Sequence, residues 1–163
     1  NPTEEDARLL IKKGRAVCIA KLGEEKKLCP SDIAVEKLCE MAEYVIIEAD
    51  GSKGLPLKAH DKNEPVIPPG SKVIYVVGAD GIGKPIAESA HRPELYARRL
   101  GADVGHVVTP KDAAAMVDYG DTVLFNKAER PKDVENGRAF AKVFHGRTVI
   151  AALKQGRVIE VIN

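Results

Sequence analysis

The sequence predicts an α/β fold: a mainly parallel sheet with helices on both faces and a C-terminal β-hairpin, in a single domain spanning residues 1–163. Three observations point there. Short aliphatic runs alternate with stretches of helical periodicity. The core has to rest on Val, Ile, Leu and Ala, because aromatic residues make up only 4% of the chain and Trp is absent; buried parallel strands read as such aliphatic runs. Three of the runs end in loops rich in Gly or polar residues, and open parallel sheets gather their ligands beyond the carboxyl ends of strands.

Taken in order, Thr3 followed by Glu4, Glu5 and Asp6 predicts a capped helix with acids in its first turn, where the helix dipole favours them. Leu9, Leu10 and Ile11 supply its apolar part, and Gly14 its stop. Residues 15–20 (RAVCIA) read as a strand and residues 21–30 as a polar loop. Ser31 is the expected cap of a second helix, in which Ile33, Val35, Leu38, Cys39, Met41 and Ala42 recur at near-helical spacing. Residues 44–49 (YVIIEA) read as a buried strand. Residues 51–70 hold three Gly and four Pro, which predicts an irregular loop, and a loop of that length is usually functional or mobile.

The clearest strand is 72–77 (KVIYVV), followed by a Gly-rich turn over 78–83. Residues 93–100 form a short helix with Pro93 in the first turn and Gly101 at the stop. Residues 106–108 suggest a short strand, and Thr109-Pro110 caps a helix reaching about residue 118. Residues 121–125 (DTVLF) are a strand running into Asn126-Lys127. A helix over 131–144, a strand over 148–152, a turn at Gln155-Gly156 and a strand over 158–162 complete the chain.

Composition narrows the function classes. With 25 basic and 24 acidic residues the formal charge is +1, so no basic excess forecasts a nucleic-acid partner. No apolar run approaches the roughly 18–20 residues a membrane span needs. Three cysteines, Cys18, Cys29 and Cys39, form neither an even disulfide framework nor a CxxC pair, which together with the lack of a visible signal peptide predicts a cytoplasmic protein.

Four motifs carry candidate chemistry. Glu48 and Asp50 close the 44–49 run; on a strand they share a face, as acids that hold Mg²⁺ or its water do, while Asp50-Gly51 is equally a common turn. Residues 78–84 match GxxxxGK after a strand, but Pro85 stands where a phosphate loop needs a hydroxyl, so an ordinary or switch-like turn is expected. Asn126-Lys127-Ala128-Glu129 is similar to the NKxD base-reading loop of GTPases, with Glu129 displacing the carboxylate by about 1.5 Å, one bond length. His60 and His91 lie on loops without metal-ligand spacing and read as surface histidines.

Residues 48–59 (EADGSKGLPLKA) resemble the signature of the YqeC-like family, accessory proteins of selenium-dependent molybdenum hydroxylases. Residues 64–69 (EPVIPP), His91-Arg92-Pro93-Glu94 and Asn126-Lys127 follow in the same order and at comparable spacing, so the resemblance covers about residues 44–129. It implies a P-loop NTPase-like fold and a role in maturing the hydroxylase through ATP or GTP with Mg²⁺. The partners it implies are the hydroxylase or its cofactor-loading machinery. In that reading Asp50 holds Mg²⁺ and Glu48 supports it or positions water. Lys53 and Lys58 face phosphates, Asn126 and Lys127 contact the base, and His91 and Arg92 contact the ligand.

Asn63 departs from the family's usual His, and Glu129 from its usual acid. The family's GGKT-type phosphate loop lies upstream of the matched region and is absent here, which implies an NTPase in full length and weak nucleotide binding by this chain. A non-catalytic adaptor docking on the hydroxylase, and a nucleotidyltransferase acting on molybdenum cofactor, are the alternative functions.

Overall fold

The computed structural model describes residues 1–13, 16–24 and 28–163. The chain, read from sequence as one domain, divides into two compact units, residues 1–48 and 49–163.

In the first unit, α1 (Glu4–Ile11) starts at a capping box: Asp6 N donates to Thr3 Oγ1 at 3.2 Å and Thr3 N donates to Asp6 Oδ2 at 3.0 Å. The expected stop at Gly14 lies outside the described residues. β1 (Lys21–Leu22) and β2 (Leu28–Cys29) form a short antiparallel ladder where a polar loop was expected. α2 (Val35–Met41) begins after Ala34 rather than at Ser31. Asp32 is engaged by Lys21 Nζ at 2.5 Å and Asn1 Nδ2 at 2.9 Å, which holds the turn before α2 out of the helix.

Two expected strands do not form here. Residues 16–20 and 44–49 join no ladder among the described residues, and Arg15 lies outside them. Tyr44 and Ile46 are 80% and 96% exposed. An aliphatic run becomes a strand only when a neighbour takes its N–H and C=O groups in a ladder; in 44–49 the single contact of this kind among the described residues is Val66 N donating to Ala49 O at 3.2 Å.

The second unit is α/β. Its sheet has the order β4-β6-β7-β8, with β4 (Ile74–Gly78), β6 (Thr122–Asn126) and β7 (Arg147–Ala152) parallel and β8 (Arg157–Ile162) antiparallel to β7. The expected C-terminal hairpin is present, turned by Gly156 in the left-handed region. Beside this sheet β3 (Leu57–Lys58) pairs in parallel with β5 (Ala90–His91). The helices are α3 (Ile86–Ser89), α4 (Pro93–Leu100), α5 (Pro110–Ala115) and α6 (Pro131–Ala141). The last three carry Pro in the first turn, where its missing N–H has no partner to lose. Residues 106–108 contribute only an isolated bridge from Val107 to Pro85.

Alternation along the strands decides which face is buried. Register aligns Tyr75, Val123 and Thr148 in one row and Val77, Phe125 and Ile150 in the next. Of these, Tyr75, Val77, Val123 and Phe125 pack in one cluster with Ile86, Tyr96, Ala97, Ala113, Met116 and Phe140. On the other face Ile74 and Val76 are 61% and 56% exposed, so within this unit the expected two-sided helical cover is found on one side. Gly137 lets α6 approach closely: a Cβ there would lie 2.9 Å from Ile150 Cδ1 and 3.0 Å from Phe125 Cδ1.

Close packing also brings residues 56–58 to the carboxyl end of β4. Gly78 N donates to Pro56 O at 2.9 Å. A Cβ on Gly78 would meet Pro56 Cβ at 2.6 Å, so only glycine admits this approach. That contact carries the irregular 51–70 segment to the edge of the sheet, where the polar residues gather.

Candidate functional site

Residues 57–60 are all buried, and two of them are polar: Lys58 is 8% exposed and His60 6%. Lys58 Nζ sits 2.6 Å from Asp50 Oδ2, 2.5 Å from Glu64 Oε2 and 2.8 Å from Gly51 O. The ammonium is thus enclosed by three oxygens, donating a hydrogen bond to Gly51 O and pairing in charge with the two carboxylates. Glu64 is gripped a second time by the fork of Arg92, with Nη2 to Oε1 at 2.8 Å and Nη1 to Oε2 at 3.0 Å. This two-point pairing is the strongest arrangement a guanidinium and a carboxylate can adopt.

His60 links that cluster to a further pair. Its Nε2 is 2.9 Å from Asp50 Oδ2 and its Nδ1 3.4 Å from Asp118 Oδ2. Arg99 reaches Asp118 at 2.5 Å and donates to His60 O at 2.8 Å. Tyr75 and Tyr119 present their rings to the imidazole edge-to-face, at centroid distances of 5.5 and 5.4 Å. Tyr75 OH donates to Met116 O at 3.1 Å, and burial holds its hydroxyl protonated well above the ordinary tyrosine range.

Three acidic side chains (Asp50, Glu64, Asp118) thus face three basic ones (Lys58, Arg92, Arg99), matched in number. Burying such a network brings little net stability, since desolvation offsets the attraction. Clusters of this kind, where neighbours shift titration, are what functional sites share. Hydrogen bonds from Arg92, then from Lys58, pull the Glu64 carboxyl down to about 2. Burial first, then Lys58, Arg92 and Lys53, pushes His91 below its usual range and keeps its imidazole neutral. His91 Nδ1 is out of water with no hydrogen-bond partner.

Asp50 Oδ2 is also out of water, and although Lys58 and His60 are near, neither contact has hydrogen-bond geometry. The place a metal would take against it is filled by the Lys58 ammonium. As arranged, Asp50 does not fit a directly ligated Mg²⁺. No group of three or more His, Cys, Asp or Glu among the described residues is placed to hold a metal ion.

A second, open centre lies beyond the carboxyl ends of β4 and β6. It is a cleft of about 370 Å³ lined by Asp80, Lys84, Lys127, Glu129, Arg130 and Asp133, with Ile82 among them. Lys127 Nζ pairs with Asp80 Oδ2 at 2.9 Å, both side chains well exposed. Arg130 clasps Asp133 through Nε at 2.9 Å and Nη2 at 2.7 Å, which holds the Asp133 carboxyl below the usual carboxylate range. Asn126, at the end of β6 and not among the cleft's lining residues, accepts the backbone N–H of Leu153 through Oδ1 at 3.1 Å. Residues 79–81 are a short 3₁₀ turn, the ordinary turn expected of the GxxxxGK match.

The expected site residues therefore fall into separate places. Asp50, Lys58 and Arg92 meet directly, with His91 beside them in β5. Lys127 lines the cleft, and Asn126 precedes it at the end of β6. Lys53 is exposed, and Glu48 is exposed in the first unit, off any strand, so the shared-face argument for Glu48 and Asp50 lapses. Neither His60 nor His91 is a surface histidine: His60 is buried and His91 half-buried. Arg99, Asp118, Tyr75 and Tyr119 were not foreseen. Lys53, Arg92 and Lys127 are the non-glycine residues with positive φ among the described residues, at 53°, 60° and 62°. All three are cations and all three are site candidates, and backbone strain of this sort concentrates at functional positions.

The model of a family described as YqeC protein matches residues 1–94. The Escherichia coli (strain K12) protein described as uncharacterized protein YqeC is 38% identical over 90 residues, which cover 53% of this chain and 35% of that relative. The match thus spans about a third of the curated relative's length. No solved structure matches the chain.

Proposed function

The chain belongs to the YqeC family, and from that premise we propose that it is a cytoplasmic accessory protein for maturing selenium-dependent molybdenum hydroxylases, acting through ATP or GTP. The observation that carries this reading is the cation cluster of Lys58, Arg92 and Lys53 around a neutral His91, built on a network too costly to be mere decoration. Phosphoryl groups are recognised by such arginine and lysine donors. Asn126, at the end of β6, and Lys127, lining the cleft, are the residues to which this reading gives the base. Parallel β4, β6 and β7 support a P-loop NTPase-like fold. Mg²⁺ in this reading belongs to the nucleotide's phosphates, not to Asp50.

One observation favours the adaptor as a second reading. The network matches acidic with basic side chains in number and is closed, so it can stand as a structural clip on a docking protein. Calorimetric titration of ATP and GTP with Mg²⁺ separates the two. The nucleotide reading expects weak, saturable binding that is lost in Arg92→Gln while the circular dichroism spectrum is kept. No saturable heat from either nucleotide leaves the adaptor. In cells, Asp50→Ala in the full-length protein abolishes hydroxylase maturation under the first reading and spares it under the second.

A further inference from the structure

We propose that Arg92, Lys58 and His91 form an oxyanion site for a phosphoryl group, and that Glu64 occupies it as a tethered competitor until the ligand displaces it. This rests on the same site as the function proposed above and adds a control over it. The Glu64 carboxylate is held as a bound anion is held: both oxygens in one guanidinium fork, with an ammonium 2.5 Å from Oε2. It comes from the irregular segment between β3 and β4, not from a regular element. Its side chain keeps 30% of its exposure, so solvent reaches the position it fills.

In β5, next to Arg92, one polar atom stands unused. His91 Nδ1 is buried without a partner, and a neutral imidazole carries one N–H. Lys53 stands exposed with its backbone in the left-handed region, and its charge is felt at His91. A carboxylate offers two oxygens; a phosphoryl group offers three. Replacing Glu64 by phosphoryl keeps the Arg92 fork and adds an oxygen for the unpaired imidazole. Arg92 itself is held at φ 60°, a strained backbone setting at the start of α4. The third oxygen is what favours phosphoryl over carboxylate ligands at this site, and Glu64 keeps it shut to weak ones.

Inorganic pyrophosphate, titrated calorimetrically without nucleotide, tests this. A competitor that holds the site closed most of the time lowers apparent affinity by the fraction of open molecules, so Glu64→Gln should bind pyrophosphate about tenfold more tightly than the native chain. Glu64→Asp, whose shorter arm loosens the grip, should fall between them and serves if the glutamine variant folds poorly. Arg92→Gln should lose binding. Unchanged or weaker binding by folded Glu64→Gln or Glu64→Asp overturns the proposal. Gain of pyrophosphate affinity with no binding of ATP or GTP keeps the oxyanion site and removes the nucleotide reading.

Discussion

The two polar centres of the second unit use the same residue types in opposite ways. Around Lys58 a buried ammonium is enclosed by half-buried Asp50 and Glu64, which Arg92 joins from further along the chain. Around Lys127 the ammonium and its partner Asp80 are well exposed at the rim of an open cleft. The difference teaches where charge matters energetically. An ammonium in water loses little when its partner goes, whereas one enclosed by three oxygens cannot leave without stranding them.

Lys58→Met should therefore have the largest effect. It leaves Asp50 and Glu64 short of a buried cation, and should cost about 3–5 kcal/mol in urea unfolding. A loss below one kilocalorie would place Lys58 in water and erase the contrast. Asp133 sharpens it from the other side, as the one enclosed carboxylate of the open cleft, with its side chain 4% exposed. Because it accepts the Arg130 N–H at the start of α6, Asp133→Ala should cost about 1–2 kcal/mol, the worth of a helix cap.

Acid reads the buried centre without mutation. The folded-state Glu64 carboxyl lies near 2, below its ordinary 4.5, because Arg92 and Lys58 favour the charged form. Its contribution is thus complete above about 4.5 and is lost as pH falls towards 2. Unfolding curves across that window should decline less steeply for Glu64→Gln than for the native chain. Smallest of all, Lys127→Ala should change stability by less than about 1 kcal/mol, since its pair with Asp80 is solvent-screened.

The same contrast explains what could be read from sequence. Local chemistry was legible: the Thr3 and Thr109 capping boxes, Pro93 and Gly101 bounding α4, the aliphatic runs of β4, β6 and β7, and the hairpin turned at Gly156. Pairing was not. Residues 44–49 have a strand's composition, yet they join no ladder among the described residues. The buried centre was half legible, through Asp50, Lys58, His91 and Arg92. Its remaining members joined across 28 residues from Glu64 to Arg92 and 58 from His60 to Asp118, distances no local pattern spans. His60 misled because a histidine beside Asp61 and Lys62 looks solvated, whereas β3 pairing with β5 carries it inward.

Amide hydrogen exchange with and without saturating pyrophosphate tests the account at its centre. If Glu64 leaves the Arg92 fork when a phosphoryl group arrives, amides in residues 61–70 should exchange faster while those in residues 127–133 hold their rates. Slower exchange in 61–70, or a response confined to the cleft, would contradict it.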